Sequence, residues 1–527
     1  MRARVRNMTG TGGDTVGLAE SGVTCIVGSN NVGKSQALRD VLALLTYPTA
    51  QTVAVNELDL VHPGTAADAI AAWIPTVAAP QATQPGMPPS YTPMHGGQTM
   101  QLGQVQGHLQ QSETSLGAAA GFFAWHASAG SLLSFATGSL GMSPGLAAAS
   151  PLGRVFRDGA LEAELSALSQ TVFGLPLLLD RINGDVRLRV GQVDVPVPPL
   201  DRPTIEYAEA VATLPALESQ GDGVKSFLGL ALTVVAGHAQ ILLIDEPEAF
   251  LHPAQARALG RWLSAEAVRR DVQVIVSTHD RDLVLGLLDG GPTSVVSVLR
   301  VTRTAAGNRF HQLPAGDLAA VWSDPVLRYS NVLQGLFHRR VIICEADADC
   351  RFYGAVLDDL AQASASRAQT DDVLFVPSGG KQRVGALAAA LVRLGVTADA
   401  VLDFDVLRQR QDVRGIVAAL GASWSAEVDG DYVAVSRALN DGSLWDVAKR
   451  QGLDSLPDGE PYSAGKRLLA TLYSIGVHLV PIGEMEGFDR SIGLHGAGWV
   501  SSALAANGHK TCQLARDFVL GILERTS

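Results

Sequence analysis

The sequence predicts an α/β protein in which two blocks of alternating strands and helices follow one another, each building a mostly parallel sheet. Three observations carry that expectation. Apolar runs of strand length recur at 23–27, 241–244 and 341–344. Stretches of helical length, apolar every three or four residues, separate them. Glycine-rich or acidic residues stand directly after several runs, where the loops at the carboxyl ends of parallel strands would lie. The 527 residues suffice for two to four domains at about 100–200 residues each.

The first block opens with the strand 23–27, which runs into Gly28-Ser-Asn-Asn-Val-Gly33-Lys34-Ser35 and a helix over 36–45. Residues 79–111 are rich in Pro, Gln, Gly and Met and almost uncharged, which reads as loop or linker. With the Ala/Gly/Ser-rich stretch 114–153 they are expected to form a helical, low-charge insertion at about 79–153. A helix at 161–168 follows, then strands 177–182 and 186–190. Asn183-Gly184 between them suits the positive φ values of a type I′ turn. A helix over 221–236, a strand over 241–244, a helix over 257–270 and a strand over 272–276 complete the block.

Region 301–338 joins the two blocks, giving domains at 1–320 and 335–527. The second block reads as strand 341–344, helix 350–360, strand 373–376, helix 383–394 and strand 398–402. Residues 420–470 are expected to be a loop-bearing insertion, and 477–480 a further strand. No internal repeat is evident.

Hydrophobic residues make up 47% of the chain and charged residues 17%, enough apolar side chain for packed cores. Forty Lys and Arg against 52 Asp and Glu leave a net charge of −12, which excludes a polybasic coat that holds nucleic acid by charge alone. Any polyanion must be met by local cations or bound metal. Cys25, Cys344, Cys350 and Cys512 contain no C-x-x-C pair, so neither a zinc knuckle nor a disulfide framework is indicated. The start, Met1-Arg-Ala-Arg-Val-Arg6, lacks the apolar run of a signal peptide. The uncharged stretch 116–142 is long enough for a membrane span. Its Gly, Ser and Thr content, His126, and the want of a flanking Lys/Arg cluster instead favour a buried helical insertion in a cytoplasmic protein with no membrane contact.

Gly28-x-x-x-x-Gly33-Lys34-Ser35, between a strand and a helix, is a full P-loop pattern. The glycines let backbone N–H groups face phosphates at a helix N-terminus. Lys34 can reach the β- and γ-phosphates, and the Ser35 hydroxyl can ligate Mg²⁺. Asn30, Asn31 and Gln36 belong to the same cradle. The strand ending in Asp245-Glu246 supplies the partner: Asp245 toward the metal, Glu246 to polarise the attacking water. ATP with Mg²⁺ is the expected cofactor. The string Asp245-Glu-Pro-Glu248-Ala-Phe-Leu-His252-Pro, with the later Ser277-Thr-His279, resembles the ABC-type ATPases, in the branch of the structural-maintenance-of-chromosomes and RecF-like proteins. That resemblance implies that His279 contacts the γ-phosphate. It also implies a homodimer or higher homo-oligomer, in which a signature helix of a second copy closes over the nucleotide. The matching segment, 219–226, keeps Gly221 and Gly223 but has Gly221 where serine is expected. The glutamine loop of that class has no assigned counterpart here.

The second block offers Glu345-Ala-Asp347-Ala-Asp349 after one strand and Asp403-Phe-Asp405 after another. Both sets fall at the carboxyl ends of parallel strands, and hard carboxylate oxygens suit Mg²⁺. Two such ions can stabilise the attacking and leaving oxygens of a phosphodiester. The order strand–Glu–helix–strand–Gly–helix–strand–Asp-x-Asp resembles the Toprim (topoisomerase–primase) domain, a Rossmann-like parallel sheet, with Ala346 in place of the small glycine often found there. An ABC-type ATPase domain followed by a Toprim domain resembles the OLD (overcoming lysogenization defect) family of ATP-dependent nucleases. Val376-Pro-Ser-Gly-Gly-Lys381, Pro481-Ile-Gly-Glu484-Met-Glu486-Gly-Phe and Gly496-Ala-Gly-Trp-Val500 extend that likeness.

The family resemblance implies Glu345, Asp349, Asp403 and Asp405 as metal ligands, with Asp347 an alternative to Asp349. Glu484 or Glu486 is the later acid, and Lys510 the lysine that stabilises transition-state charge. Mg²⁺ is the expected ion, with Mn²⁺ or Ca²⁺ as alternatives at this second site. Gly380 and Lys381 are read as lining the substrate path. Arg408, Arg410, Lys449-Arg450 and Lys466-Arg467 are candidate phosphate grips. The leading expectation is thus an ATP-controlled, metal-dependent DNA endonuclease acting in phage defence or DNA processing, with a protein partner expected on the insertion 79–153. Its competitors are a non-catalytic ATP-dependent DNA clamp or sensor, and a primase- or RNase-like enzyme.

Overall fold

In the computed structural model, which describes residues 1–527 except 82–86, 137–149, 200–201, 314–330, 364–371, 441 and 526–527, the chain forms two units, Met1–Ala315 and Gly316–Ser527. The first begins with β1 (Arg4–Gly10), β2 (Thr15–Gly17), β3 (Gly22–Val27) and β4 (Val55–Val61). β1 lies between β2 and β4 in an antiparallel sheet, whereas β3 enters a second sheet and is buried at every residue. A strand covered on both faces needs a continuous apolar run, and 23–27 supplies one.

Residues 78–110 hold β5 (Ala78–Gln81), β6 (Ser90–Pro93), β7 (Met100–Gln101) and the helix Leu102–Gln110, which corrects the loop or linker expected over 79–111. Ala78, Tyr91, Met100, Val105 and Leu109 are buried in the main core of this unit. Their irregular spacing along a proline- and glutamine-rich segment hid them from a composition reading.

β8 (Ala124–Ala127) brings a larger correction: it pairs in parallel with β11 (Ile241–Asp245), so the stretch expected to be an insertion contributes a strand of the central sheet. The part of that stretch at 137–149 lies outside the described residues. β9 (Leu177–Asp180) and β10 (Arg187–Val190) form the expected antiparallel hairpin, but residues 181–186 join them and only Gly184 of the Asn183-Gly184 pair has positive φ, so the expected type I′ turn is replaced by a longer loop in which Asn183 bonds to the Asp180 carboxylate. β12 (Gln273–Ser277), β13 (Val296–Thr304) and β14 (Gly307–Gln312) complete a six-stranded sheet of order β14-β13-β3-β12-β11-β8, parallel except for the β13–β14 hairpin. Residues 314–330 of the join expected at 301–338 lie outside the described residues; its first residues belong to that hairpin, and Asn331–Phe337 form a short 3-10 helix.

The second unit has a four-stranded parallel sheet of order β16-β15-β17-β18, built from β15 (Arg340–Cys344), β16 (Val373–Pro377), β17 (Thr397–Leu402) and β18 (Val477–Leu479). Helices Asp347–Ala363 and Lys381–Arg393 follow β15 and β16. Between β17 and β18 the segment expected to carry loops is instead helical: Ala426–Ala438, Gly442–Gln451 and Glu460–Ile475. Val428, Tyr432 and Val435 in the first, and Ala464, Leu468 and Leu472 in the last, give each helix an inward stripe at three- and four-residue spacing. Among the described residues no helix is long and apolar enough to cross a membrane.

Candidate functional site

Chain geometry forces the cradle after β3. Gly28 and Gly33 have φ of 153° and 100°, values that favour glycine. A Cβ on Gly28 would lie 2.6 Å from the Val301 carbonyl oxygen, and one on Gly33 2.8 Å from Asn308 Nδ2. Asn31 also has positive φ, at 62°, and is exposed with Asn30. Gly33 caps the helix Lys34–Thr46 without a side-chain hydrogen bond, which leaves the first N–H groups of that helix for a ligand. The Lys34 ammonium donates to the Gly28 and Ser29 carbonyls at 2.9 and 2.8 Å, so it curls over the same loop. Ser35, one residue on, is half-buried. Gln36 braces the fold here, since its amide donates to Asp40, whose other oxygen accepts the backbone N–H groups of Val53, Ala54 and Val55.

Asp245, Ser277 and Ile26 form one row across β11, β12 and β3. The acidic pair and the cradle therefore share one end of the sheet, about 10 Å apart at two strand spacings. Ser277 donates its hydroxyl to Asp245. Glu246 has a positive φ of 47°, held by its N–H bond to the Ser277 carbonyl at 3.0 Å. Its Oε1 lies 3.1 Å from His279 Nδ1. Gly223 packs so closely that a Cβ would meet the Phe250 carbonyl at 2.6 Å, whereas Gly221, which caps the helix Asp222–Ala236, has open space around it.

Two groups here escaped the sequence reading. His126 lies in β8 opposite Leu243 of β11, where the charge of Asp245 acts on it. Burial holds it below the usual histidine pKa, and its Nε2 is buried without a hydrogen-bond partner among the described residues. Only the placement of β8 could reveal this. Glu248 was visible as a letter of the acidic string, but not as a buried acid.

In the second unit Glu345 follows β15 and Asp403 follows the adjacent β17, and the Asp403 N–H donates to Glu345 Oε1 at 3.1 Å. Glu345, Asp403 and Asp405 each present a carboxylate oxygen, all within 4.8 Å of one another. Burial pushes Glu345 up to about 7, and the charge of Asp405 adds to it. Burial and then the charges of Glu345, Asp349 and Asp405 lift Asp403 well above the carboxylate range. Three acids so placed repel one another unless protons or a cation intervene.

Asp349 accepts the Ala346 N–H at 2.8 Å, and burial lifts it to about 6. Asp347 is exposed and paired with Arg351 at 2.7 Å. Glu484, Glu486 and His495 make a second trio within 4.8 Å, joined to the first by the Phe404 N–H, which donates to the Gly483 carbonyl at 2.7 Å.

Of the cations the sequence singled out, Lys381 and Lys449 stand beside the acids, whereas Lys510 does not. Lys381 lies 3.2 Å from Asp405 Oδ2, and Lys449 lies 3.7 Å from Glu484 Oε2. Burial opposes the charge of Lys449, yet Glu484, Asp405, Asp403 and Glu345 together lift its pKa above the ordinary lysine value. Lys510 sits elsewhere, in the short helix Gly508–Thr511, where its charge acts on Asp359 and its carbonyl accepts from Arg516. Arg410 and Arg467 are engaged by Asp429 and by Asp431 with Glu460, and Lys466 lies 4.6 Å above the Tyr462 ring. Beside the acids, a cavity of about 570 Å³ is lined by Glu345, Ser378, Gly379, Gly380 and Arg383 among others.

Residues 207–286 match the family described as "AAA domain, putative AbiEii toxin, Type IV TA system". The chain carries an AAA-type ATPase domain. The match takes in Gly221, Gly223, Asp245, Glu246 and His279 of that ATPase domain, while the cradle 28–35 precedes it. A 69-residue segment is 36% identical to uncharacterized protein MJECL11 of Methanocaldococcus jannaschii, covering 13% of this chain and 60% of that protein. The chain thus spans less than two thirds of that curated relative. Among solved structures, an Smc head bound to the C-winged helix domain of ScpA is similar at 13% identity over 60% of this chain and 99% of that one, with a TM-score of 0.34. The SMC head domain from Thermotoga maritima is similar at 14% identity, 60% and 100% coverage and a TM-score of 0.30. Scores this low add no argument about chemistry.

Proposed function

We propose that the protein binds and hydrolyses ATP in its first unit and, under that control, cuts DNA in its second. On this reading it is an OLD-family enzyme with a Toprim nuclease domain, dimeric through its ATPase domains. The observation that carries the nuclease reading is the trio Glu345, Asp403 and Asp405, convergent at the carboxyl ends of adjacent parallel strands. The donor set fits divalent ions: all oxygen, anionic, partly open, and mutually repelling when empty of positive charge. Glu345, Asp403 and Asp405 would hold one ion, and Glu484 and Glu486 with Asp349 nearby a second. When bound, such ions polarise a phosphoryl oxygen and make water acidic enough to attack near neutral pH. The chain's own residues orient that work. Lys381 steadies Asp405, Lys449 places positive charge over the acids, and the Gly379-Gly380 backbone leaves room for a phosphodiester strand.

In the first unit the P-loop N–H groups and Lys34 would hold the triphosphate, Ser35 and Asp245 its Mg²⁺. Glu246, hydrogen-bonded to His279, would accept a proton from the attacking water. Service in phage defence or DNA processing rests on the family likeness alone.

The deciding experiment incubates the purified protein with supercoiled plasmid, linear and single-stranded DNA, with Mg²⁺ or Mn²⁺, with and without ATP. Glu345→Ala and Asp403→Ala should each lower cleavage by at least ~100-fold while ATP hydrolysis continues. Binding of DNA with ATP but no cleavage under any metal would instead favour the clamp or sensor reading, and undiminished nicking by the double variant would end the site assignment.

A further inference from the structure

Glu248 stands in the turn after β11, and it is 4% exposed. A carboxyl so buried requires partners, and beyond its own backbone those among the described residues belong to the loop after β12. Its Oε1 accepts the Thr278 hydroxyl and, at 3.4 Å, the His279 backbone N–H; His279 Nδ1 lies 3.7 Å away. Thr278 is fully buried, and its own N–H donates to the Ile26 carbonyl at 3.1 Å, two residues before the cradle. His279 Nδ1 in turn lies 3.1 Å from Glu246 Oε1. One buried oxygen thus links the loops that follow β11 and β12, with β3 holding the other side of Thr278.

We propose that Glu248 is a positioning residue for nucleotide hydrolysis: through Thr278 and the His279 backbone it fixes the ring of His279 against Glu246. The proposal rests on the ATP-hydrolysis reading above. A helix cap or a surface ion pair would not place the acid this way, since its Oε2 is buried with no hydrogen-bond partner among the described residues. Burial also lifts the carboxyl pKa to about 7, which the Thr278 hydroxyl opposes. The neutral acid keeps the acceptor oxygen that Thr278 uses, so an amide of the same shape can stand in for it.

The test measures steady-state ATP hydrolysis by the full chain. Glu248→Gln should retain kcat within roughly three-fold. Glu248→Ala should lower kcat on the order of 100-fold, as small misplacements of catalytic groups do, with KM for ATP nearly unchanged. Thr278→Val removes the other half of the contact and should reproduce that loss. The double variant should be no worse than either single one, because the two changes break the same link.

Normal kcat in Thr278→Val overturns the proposal, as does a loss expressed in KM or a glutamine variant as poor as the alanine one. Thr278→Val decides alone if Glu248→Ala does not fold. A wild-type protein without any ATP hydrolysis would sink the underlying reading as well. Hydrolysis by wild type with normal turnover in Thr278→Val sinks only the role of Glu248.

Discussion

Lys449 and Lys510 carry opposite expectations at the scale of single residues. The ammonium of Lys449 lies 3.7 Å from Glu484 and feels the charges of Asp405, Asp403 and Glu345, while Lys510 acts on Asp359 at the far end of the helix Asp347–Ala363. Plasmid cleavage should therefore fall by ~100-fold in Lys449→Ala, from the loss of transition-state charge stabilisation, and change little in Lys510→Ala. The reverse pattern would restore the lysine implied by the family likeness. The acids make a second prediction. Glu345 and Asp349 have folded pKa values of about 7 and about 6, above their ordinary 4.5 and 3.8. From about pH 4 to 7 these two acids hold protons in the folded chain that they release on unfolding, so their contribution to stability falls as pH rises through that window. In EDTA the melting temperature of the wild type, measured against a Glu345→Gln, Asp349→Asn variant, should drop between pH 5 and pH 8, by about 2–4 °C for each kcal/mol lost. Mn²⁺ or Mg²⁺ should restore it at pH 8 and do little at pH 5; a metal-insensitive melting curve would tell against ion binding. Residues in contiguous strings were the legible ones: the P-loop, Asp245-Glu246 and the two acidic sets declare themselves because neighbours in sequence supply the pattern. Lys449 was named only as a phosphate grip; its seat beside Glu484, like the placement of His126 and the burial of Glu248, depends on packing between distant segments, which no local pattern records.

Among the elements, the helix Gly442–Gln451 brings Lys449 to the acid Glu484. Its end is locked to the loop after β18 at two points where only glycine fits. Gly483 has φ 109° and its Cβ would lie 2.2 Å from the Lys449 carbonyl; Gly452 has φ 58° and its Cβ would lie 2.1 Å from the Pro481 carbonyl. Gly483→Ala therefore meets both a disfavoured dihedral and backbone, and should cost about 1–3 kcal/mol. It should also weaken cleavage by displacing Lys449 from Glu484, while ATP turnover in the first unit is untouched. Calorimetry with parallel ATPase and nicking assays checks both statements, and an unaltered melting profile would contradict them. Strands bounded by glycine or acidic residues could be read from the chain, since buried parallel strands are continuous apolar runs. Segments 79–111, 114–153 and 420–470 were not. In the first two, buried side chains are irregularly spaced and low charge with frequent Pro and Gly resembles loop; in the third the helical stripes are present, but frequent Gly with Pro457 and Pro461 masks them.

At the level of the molecule, the two proposed chemistries fall in different units, so each should fail separately. Lys34→Ala removes the cation that curls over the cradle, and nucleotide affinity should fall by ~100-fold or more in a fluorescent-ATP titration. The metal-dependent melting shift assigned to the second unit should survive that change. Because the whole chain is acidic, with a net charge of −12, DNA should be retained only with divalent ions present, and retention should decline steeply with salt. Salt-independent binding without metal would show that some cationic surface beyond these sites holds the polymer.

The parallel pairing of β8 with β11 has a practical bearing on any attempt to trim this protein. Cutting away the alanine-rich stretch would look harmless by composition, yet it would unzip one margin of the nucleotide-bearing sheet. The bared backbone beside Asp245 would then invite the wrong neighbour, and the shortened chain would stick to itself before any question of catalysis arose.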